Sequence, residues 1–132
     1  HPTLLSTWAG MYEMLVENGV VANRIKQLQR VLIADRLDCP SWAPEQSSSL
    51  QAVGINARER DAVNSSDFSI FSSGERTALH YAEALILFGK VDEDLFRNLK
   101  DSFSWSEIVE LGFAVAVQAG AARVVAALQR DE

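Results

Sequence analysis

Ser104-Trp105-Ser106-Glu107 runs directly into Ile108-Val109-Glu110-Leu111-Gly112-Phe113-Ala114-Val115. A serine followed three residues later by glutamate, ahead of an apolar run, marks a helix N-terminus. The hydroxyl accepts from a first-turn N–H while the carboxylate reaches back to the capping residue. The helix opened here can run to about Gln129, roughly 25 residues or about 37 Å at 1.5 Å per residue. It is apolar nearly all round, through Leu111, Phe113, Val115, Val117, Val124, Val125 and Leu128. Small residues fill the gaps, from Gly112 and Ala116 to Gly120 and Ala121. A helix apolar on every side needs cover on several sides. In a chain of 132 residues, part of that cover is expected from another subunit.

The same signal recurs upstream. Ser72-Ser73-Gly74-Glu75 opens a helix over 73–88, with Ala78, Tyr81, Ala82, Leu85 and Phe88 on its apolar arc and Arg76, His80 and Glu83 opposite. Asn56-Ala57-Arg58-Glu59 opens a short one over 57–64. Asp92-Glu93-Asp94 places acidic charge on the first turn of a helix reaching Asp101, as the helix dipole favours. Near the start, Leu4, Leu5, Trp8, Met11, Tyr12, Leu15 and Val16 recur at helical spacing, which predicts an amphipathic helix over 3–18, ended by Asn18-Gly19. A second helix, about 21–37, puts Ile25, Leu28, Val31 and Leu32 on one face and Lys26, Gln29, Arg30 and Arg36 largely elsewhere. Ser41 as N-cap predicts a third helix from Trp42 to about Ala52, with Pro44 in its first turn and Gly54 closing it. No strand pattern or internal repeat emerges. The expected fold is all-α: six to seven helices in one domain over 1–132, with a long apolar C-terminal helix.

Composition narrows the partners. Hydrophobic residues make up 48% and the formal net charge is −6. An acidic chain without a basic run is a poor match for a phosphate backbone or an anionic membrane surface. The richest window, 108–128, is interrupted by Glu110, Gln118 and Arg123, so no membrane span is expected. The first residues lack the basic and apolar regions of a signal peptide. One cysteine cannot form an internal disulfide, which fits a reducing, cytoplasmic setting. No residue pattern implies a cofactor, and none offers a metal-ligand set.

The chemistry concentrates at Asp38-Cys39-Pro40-Ser41-Trp42. A thiol at a helix start faces unpaired N–H groups and the positive dipole end, which favours the thiolate. A lone cysteine is more commonly a small buried hydrophobe. Elsewhere, His80 and Glu83 sit three apart and can pair on one helix face. Gln118 and Arg123 interrupt the last helix, and burial there would demand partners, with Glu110 or Glu83 available.

Leu32-Ile33-Ala34, then Cys39-Pro40, then Ala52-Val53-Gly54-Ile55 resemble the core of the carboxymuconolactone decarboxylase/alkylhydroperoxidase D (AhpD)-like family. Phe71-Ser72 with Glu75-Arg76 and Tyr81-Ala82-Glu83-Ala84-Leu85 continue the resemblance, as do Val91-Asp92, Phe103-Ser104 with Glu107-Ile108, and Ala122-Arg123. It covers about residues 20–128. It implies an all-helical homo-oligomer, a trimer or hexamer and less commonly a dimer. In the peroxidase branch it implies a Cys-x-x-Cys pair with a Glu and a His relaying protons. One thiolate attacks the peroxide, the second resolves the sulfenate, and the relay moves the protons. Here the first cysteine is Cys39, while Trp42 stands at the second, Gln46 at the histidine and Gln27 near the glutamate. The decarboxylase branch relies on the histidine at the Gln46 position. Two readings follow. In one, Cys39 is the thiol of a degenerate peroxidase acting on a small peroxide. In the other, the pocket of Cys39, Gln27, Trp42 and Gln46 holds an apolar or carbonyl-bearing ligand, or serves only structure.

Overall fold

A computed structural model describes residues 2–17, 19–42 and 54–128, with the side chains at 16, 17 and 41 excepted. All regular elements among them are helical. Helix α1 is Pro2–Tyr12, running on into a π-helical turn, Glu13–Glu17. Next come α2 (Asn23–Arg36), a 3-10 turn (Pro40–Trp42), α3 (Ala57–Asn64) and a second 3-10 turn (Phe68–Ile70). Then follow α4 (Ser73–Glu83, continued by a π-helical turn, Ala84–Phe88), α5 (Glu93–Ser102) and α6 (Trp105–Leu128). The expected helix over 42–52, including Pro44, lies outside the described residues beyond Trp42.

The capping signals act as read. Ser72 Oγ accepts from the Glu75 amide at 3.2 Å while Glu75 Oε1 accepts from the Ser72 amide at 3.1 Å. Ser104 and Glu107 repeat the exchange at 3.2 and 2.9 Å, and Asn56 and Glu59 do so at 2.9 and 3.1 Å. Asp92 caps α5 through the Leu95 amide at 2.8 Å. Each exchange satisfies first-turn donors that would otherwise lack a partner.

Helix α2 is the strut of the fold, packed against α3, α4 and α6. Its environment corrects the one-face expectation, because Lys26 and Gln29 are fully buried beside Leu28 and Leu32. A helix enclosed on several sides must find partners for its polar groups inside the protein. Gln29 Nε2 donates to the Ala78 carbonyl at 2.9 Å. Arg24 donates through Nε to Glu75 Oε2 at 2.7 Å and through Nη2 to Glu59 Oε2. It thereby binds the second oxygens of two capping-box glutamates and ties α2 to the starts of α3 and α4. The Glu59 bond is the leading cause that raises the Arg24 pKa further above its ordinary value. At the other end, Arg36 Nη2 donates to Glu83 at 3.0 Å, Ser66 Oγ at 2.7 Å and the Val63 carbonyl at 3.1 Å.

Lys26 meets α6. Its Nζ lies 2.9 Å from Glu110 Oε2 as an ion pair. The same carboxylate accepts from the Val20 and Val21 amides at 2.8 and 2.7 Å, so α6 caps the corner leading into α2. A Cβ at Gly19 would meet both the Glu110 carboxylate and Lys26 Nζ, so a larger residue there would have to displace the pair. Close approach governs α6 again at Gly112, where a Cβ would strike the Tyr81 hydroxyl. That hydroxyl donates to the Ile108 carbonyl at 3.1 Å, and burial pushes its pKa up.

The inner stripe of α6, including Leu111, Ala114, Val115 and Ala122, is buried. The outer face exposes Phe113, Val124, Val125 and Leu128. By length and composition α6 is apolar enough to cross a membrane, a test that a core helix with such an inner stripe also passes. Two expectations fail at the surface. Phe88, read as part of the α4 arc, is exposed, because it lies in the π-helical turn that rotates residues out of α-helical register. The apolar face of α1 is uncovered within this chain, with Leu4, Leu5, Trp8, Met11 and Met14 exposed.

Replacing Gly112 by Ala should destabilise the protein by about 1–3 kcal/mol through overpacking, read by urea unfolding. Adding Tyr81→Phe, which removes the colliding oxygen, should recover most of the loss; a double variant as unstable as Gly112→Ala would contradict the contact. Burial raises the Glu110 carboxyl, but the Val21 amide, Lys26 and the Val20 amide outweigh it and hold the pKa below its ordinary 4.5. A lowered folded pKa gives stability that is complete above the ordinary value and is lost as pH falls through the folded value. Glu110→Gln should therefore cost about 3–5 kcal/mol at neutral pH by leaving a buried ammonium unpaired. It should also weaken the loss of stability on acidification below pH 4.5. An unchanged acid profile in the variant would rule the pair out as a source of that loss.

Candidate functional site

After α2 the chain reverses in a tight turn. Asp38 adopts a positive φ of 50°, and the Cys39 amide donates to the Ala34 carbonyl at 2.9 Å. The Cys39 carbonyl then accepts from the Trp42 amide at 2.9 Å. Cys39 therefore heads a single 3-10 turn, Pro40–Trp42. The expected helix beyond Trp42 lies outside the described residues. Its side chain is fully buried, in a cluster with Val31, Leu32, Phe68, Phe71, Val115 and Ala119. The turn that brings Cys39 back under α2 thus directs the thiol into the core.

Trp42 packs against the edge of the same cluster and also lines a surface groove. The Arg30 guanidinium lies over its ring, 4.8 Å from the centroid, and Arg30 Nε donates to the Trp42 carbonyl at 2.9 Å. Arg30 Nη1 donates to the Tyr12 hydroxyl at 3.1 Å. Tyr12 meets Trp42 edge-on at 6.3 Å and Trp8 at 5.9 Å. These four side chains form one wall of an open groove of about 740 Å³, and the 116–125 stretch of α6 forms the other. Sequence reasoning left Arg30 among polar side chains turned away from the core. Its spacing of twelve residues from Trp42 gave no sign of the stack, which depends on the reversal at Asp38.

Of the remaining relay positions, Gln46 lies outside the described residues. Gln27 is buried at 4% exposure, and its Oε1 has no hydrogen-bond partner among the described residues. The same holds for Trp42 Nε1 and for both amide atoms of the fully buried Gln118. Trp42, Gln27 and Gln118 thus present neutral donors and acceptors. None of them titrates near neutral pH, and none can relay a proton as a carboxylate or imidazole does.

The secondary candidates resolve into structure. His80 Nδ1 sits 3.5 Å from Glu83 Oε1, with the imidazole more than half exposed and edge-on to Phe68 at 5.1 Å. Glu83 is held by Arg36. The two line a polar cleft of about 400 Å³ with Lys90, Asp92 and Asn98, sharing no residue with the groove at Trp42. Arg123 is exposed on α6 and reaches neither Glu110, paired with Lys26, nor Glu83. The expectation of a buried partner fails because Arg123 lies off the inner stripe. No cluster of metal-ligating side chains occurs among the described residues.

No protein-family model matches the chain, and no curated protein sequence matches it. A similar solved structure is that of a protein of unknown function from Agrobacterium tumefaciens, whose suggested role is antioxidant defence as an AhpD. The two share 15% identity at a TM-score of 0.83, over 100% of this chain and 93% of the other. The likeness establishes an AhpD-like fold, in agreement with the resemblance in the sequence.

A buried amide without a partner costs roughly 1–3 kcal/mol. Gln118→Met, of similar shape, should therefore raise stability by about 1 kcal/mol in urea unfolding. A loss of comparable size would mean that the amide is satisfied in solution.

Proposed function

We propose that this chain is an AhpD-like homo-oligomer that binds a small ligand beside Trp42 and no longer runs a dithiol peroxide cycle. The observation that carries this reading is the paired placement of Cys39 and Trp42. The one thiol is sealed in the core, and the residue at the resolving-thiol position is an indole clamped beneath Arg30. A dithiol cycle needs an accessible thiolate, a second thiol within disulfide reach and a proton relay. Trp42 and Gln27 supply none of the last two. A groove walled by aromatic rings and the small apolar side chains of α6 suits ligand binding by shape and apolar contact.

Self-association has a surface apart from the groove. Leu4, Leu5, Met11 and Met14 of α1 and Phe113 and Leu128 of α6 are exposed, and apolar side chains of this kind are ones that soluble proteins usually cover where they gather. A second copy of the chain is the occupant proposed for that surface. This agrees with the oligomeric habit that the sequence resemblance implies.

A second reading keeps redox chemistry, and the position of Cys39 together with the antioxidant role suggested for the Agrobacterium protein favours it. The Cys39 thiolate would attack the terminal oxygen of a hydroperoxide, forming S–O and breaking O–O. The alcohol would leave with a proton, and the sulfenate would be reduced by two equivalents of an external thiol, yielding disulfide and water.

Peroxide consumption with excess dithiothreitol separates the readings. The first expects wild type and Cys39→Ser to be indistinguishable, with no Cys39-dependent turnover in either. Cys39-dependent turnover in the wild type would establish the second reading instead.

A further inference from the structure

We infer that the groove between α1 and α6 takes an amphipathic monocarboxylate, its acid group on Arg30 and its apolar chain along α6. This extends the binding reading above by giving the ligand a chemical class. The inference starts from a contrast among the four cations of α2. Lys26, Arg24 and Arg36 each meet a carboxylate. Arg30 is as firmly fixed, by the Trp42 ring, the Trp42 carbonyl and the Tyr12 hydroxyl. Yet no carboxylate among the described residues pairs with it, and its Nη2 makes none of these bonds. A guanidinium carries five N–H donors in a rigid planar fork suited to a carboxylate. Stacking on Trp42 has already removed much of its rotamer freedom, so little order remains to be imposed by a ligand.

The rest of the groove suits a hydrocarbon. Beyond Arg30 its wall is Trp8 and the alanine, glycine and valine side of α6. The wall from 116 to 125 extends roughly 14 Å at 1.5 Å per residue. The volume of about 740 Å³ falls within the range of small-molecule sites. Gly120 lies midway along this wall, and a Cβ built there meets nothing within 4 Å. The space over Gly120 is therefore open, and a side chain placed there would occupy the groove without disturbing the fold. With a net charge of −6 the protein as a whole repels anions, so retention of one depends on Arg30 locally.

Dodecanoate, below its micelle concentration, is the probe, with dodecan-1-ol and acetate as comparators. Binding is read by calorimetry and by quenching of tryptophan fluorescence. The expected result is saturable one-site binding of dodecanoate, with dodecan-1-ol about tenfold weaker or more and acetate not bound, because a charged hydrogen bond is worth at least that factor. Arg30→Gln should bring dodecanoate down to the dodecan-1-ol level, and Arg30→Lys should restore part of the difference. Gly120→Leu should abolish binding of both while leaving the circular dichroism and the thermal midpoint unchanged or higher. Equal binding of acid and alcohol to the wild type, or Gly120→Leu binding as the wild type does, would overturn the inference. So would absence of binding with an altered oligomeric state in Gly120→Leu, which would assign the groove to a second copy. Peroxide turnover through Cys39 alongside this binding pattern would remove the non-redox reading alone.

Discussion

A helix enclosed on several sides has no solvent to satisfy its polar side chains, and α2 is such a helix. Most of the long polar side chains on it become fasteners. Lys26 holds Glu110 of α6, Gln29 holds the backbone of α4 and Arg36 holds Glu83. Arg24 holds the two glutamates that also close the caps of α3 and α4. The last arrangement economises on charge. One oxygen of each glutamate completes a capping box, and the other fixes the position of that helix start against α2. Local helix initiation and tertiary docking therefore share the same carboxylates. Loss of either glutamate would fray a helix and loosen the strut together.

The same constraint shapes the candidate site. The chain leaves α2 through the left-handed Asp38 and folds back against it. That reversal divides the short motif between two environments. Cys39 turns into the apolar core, where a thiol packs as a small hydrophobe. Trp42 packs at the edge of that core and lines the groove, where Arg30 lies over its ring. In a dithiol enzyme the two positions would have to face a common substrate. Here the core encloses the thiol, and the second position carries an indole that packs at the core's edge and lines the groove. What remains of the site is a rigid aromatic and cationic wall, better suited to recognition than to electron transfer.

Much of the helical framework was legible because its signals are local. Serine or asparagine three residues before glutamate marked the starts of α3, α4 and α6, and the small-residue spacing of α6 marked a closely packed helix. The all-α architecture follows from these alone. Burial on more than one face was not legible, since periodicity reports a preferred side but cannot count neighbours. For that reason Lys26 and Gln29 look like surface residues in sequence and are core residues in the fold. Arg123 shows the converse: a charge inside an apolar run suggested a buried partner, and the helix simply points it outward. The stack of Arg30 on Trp42 depends on a turn between them, and spacing along the chain carries no trace of it. Phe88 was misplaced because a π-helical turn breaks the period on which the reading rests.

Cys39 is part of the core, and its enclosure is open to direct measurement. Alkylation of Cys39 by iodoacetamide can be followed across a urea series below the unfolding transition. If the thiol is core, labelling in the native state will be slow. The free energy of the opening that permits it will then fall with urea as steeply as that of global unfolding. Labelling at the rate of an exposed thiol, without dependence on urea, would contradict the account and return Cys39 to the surface of an active site.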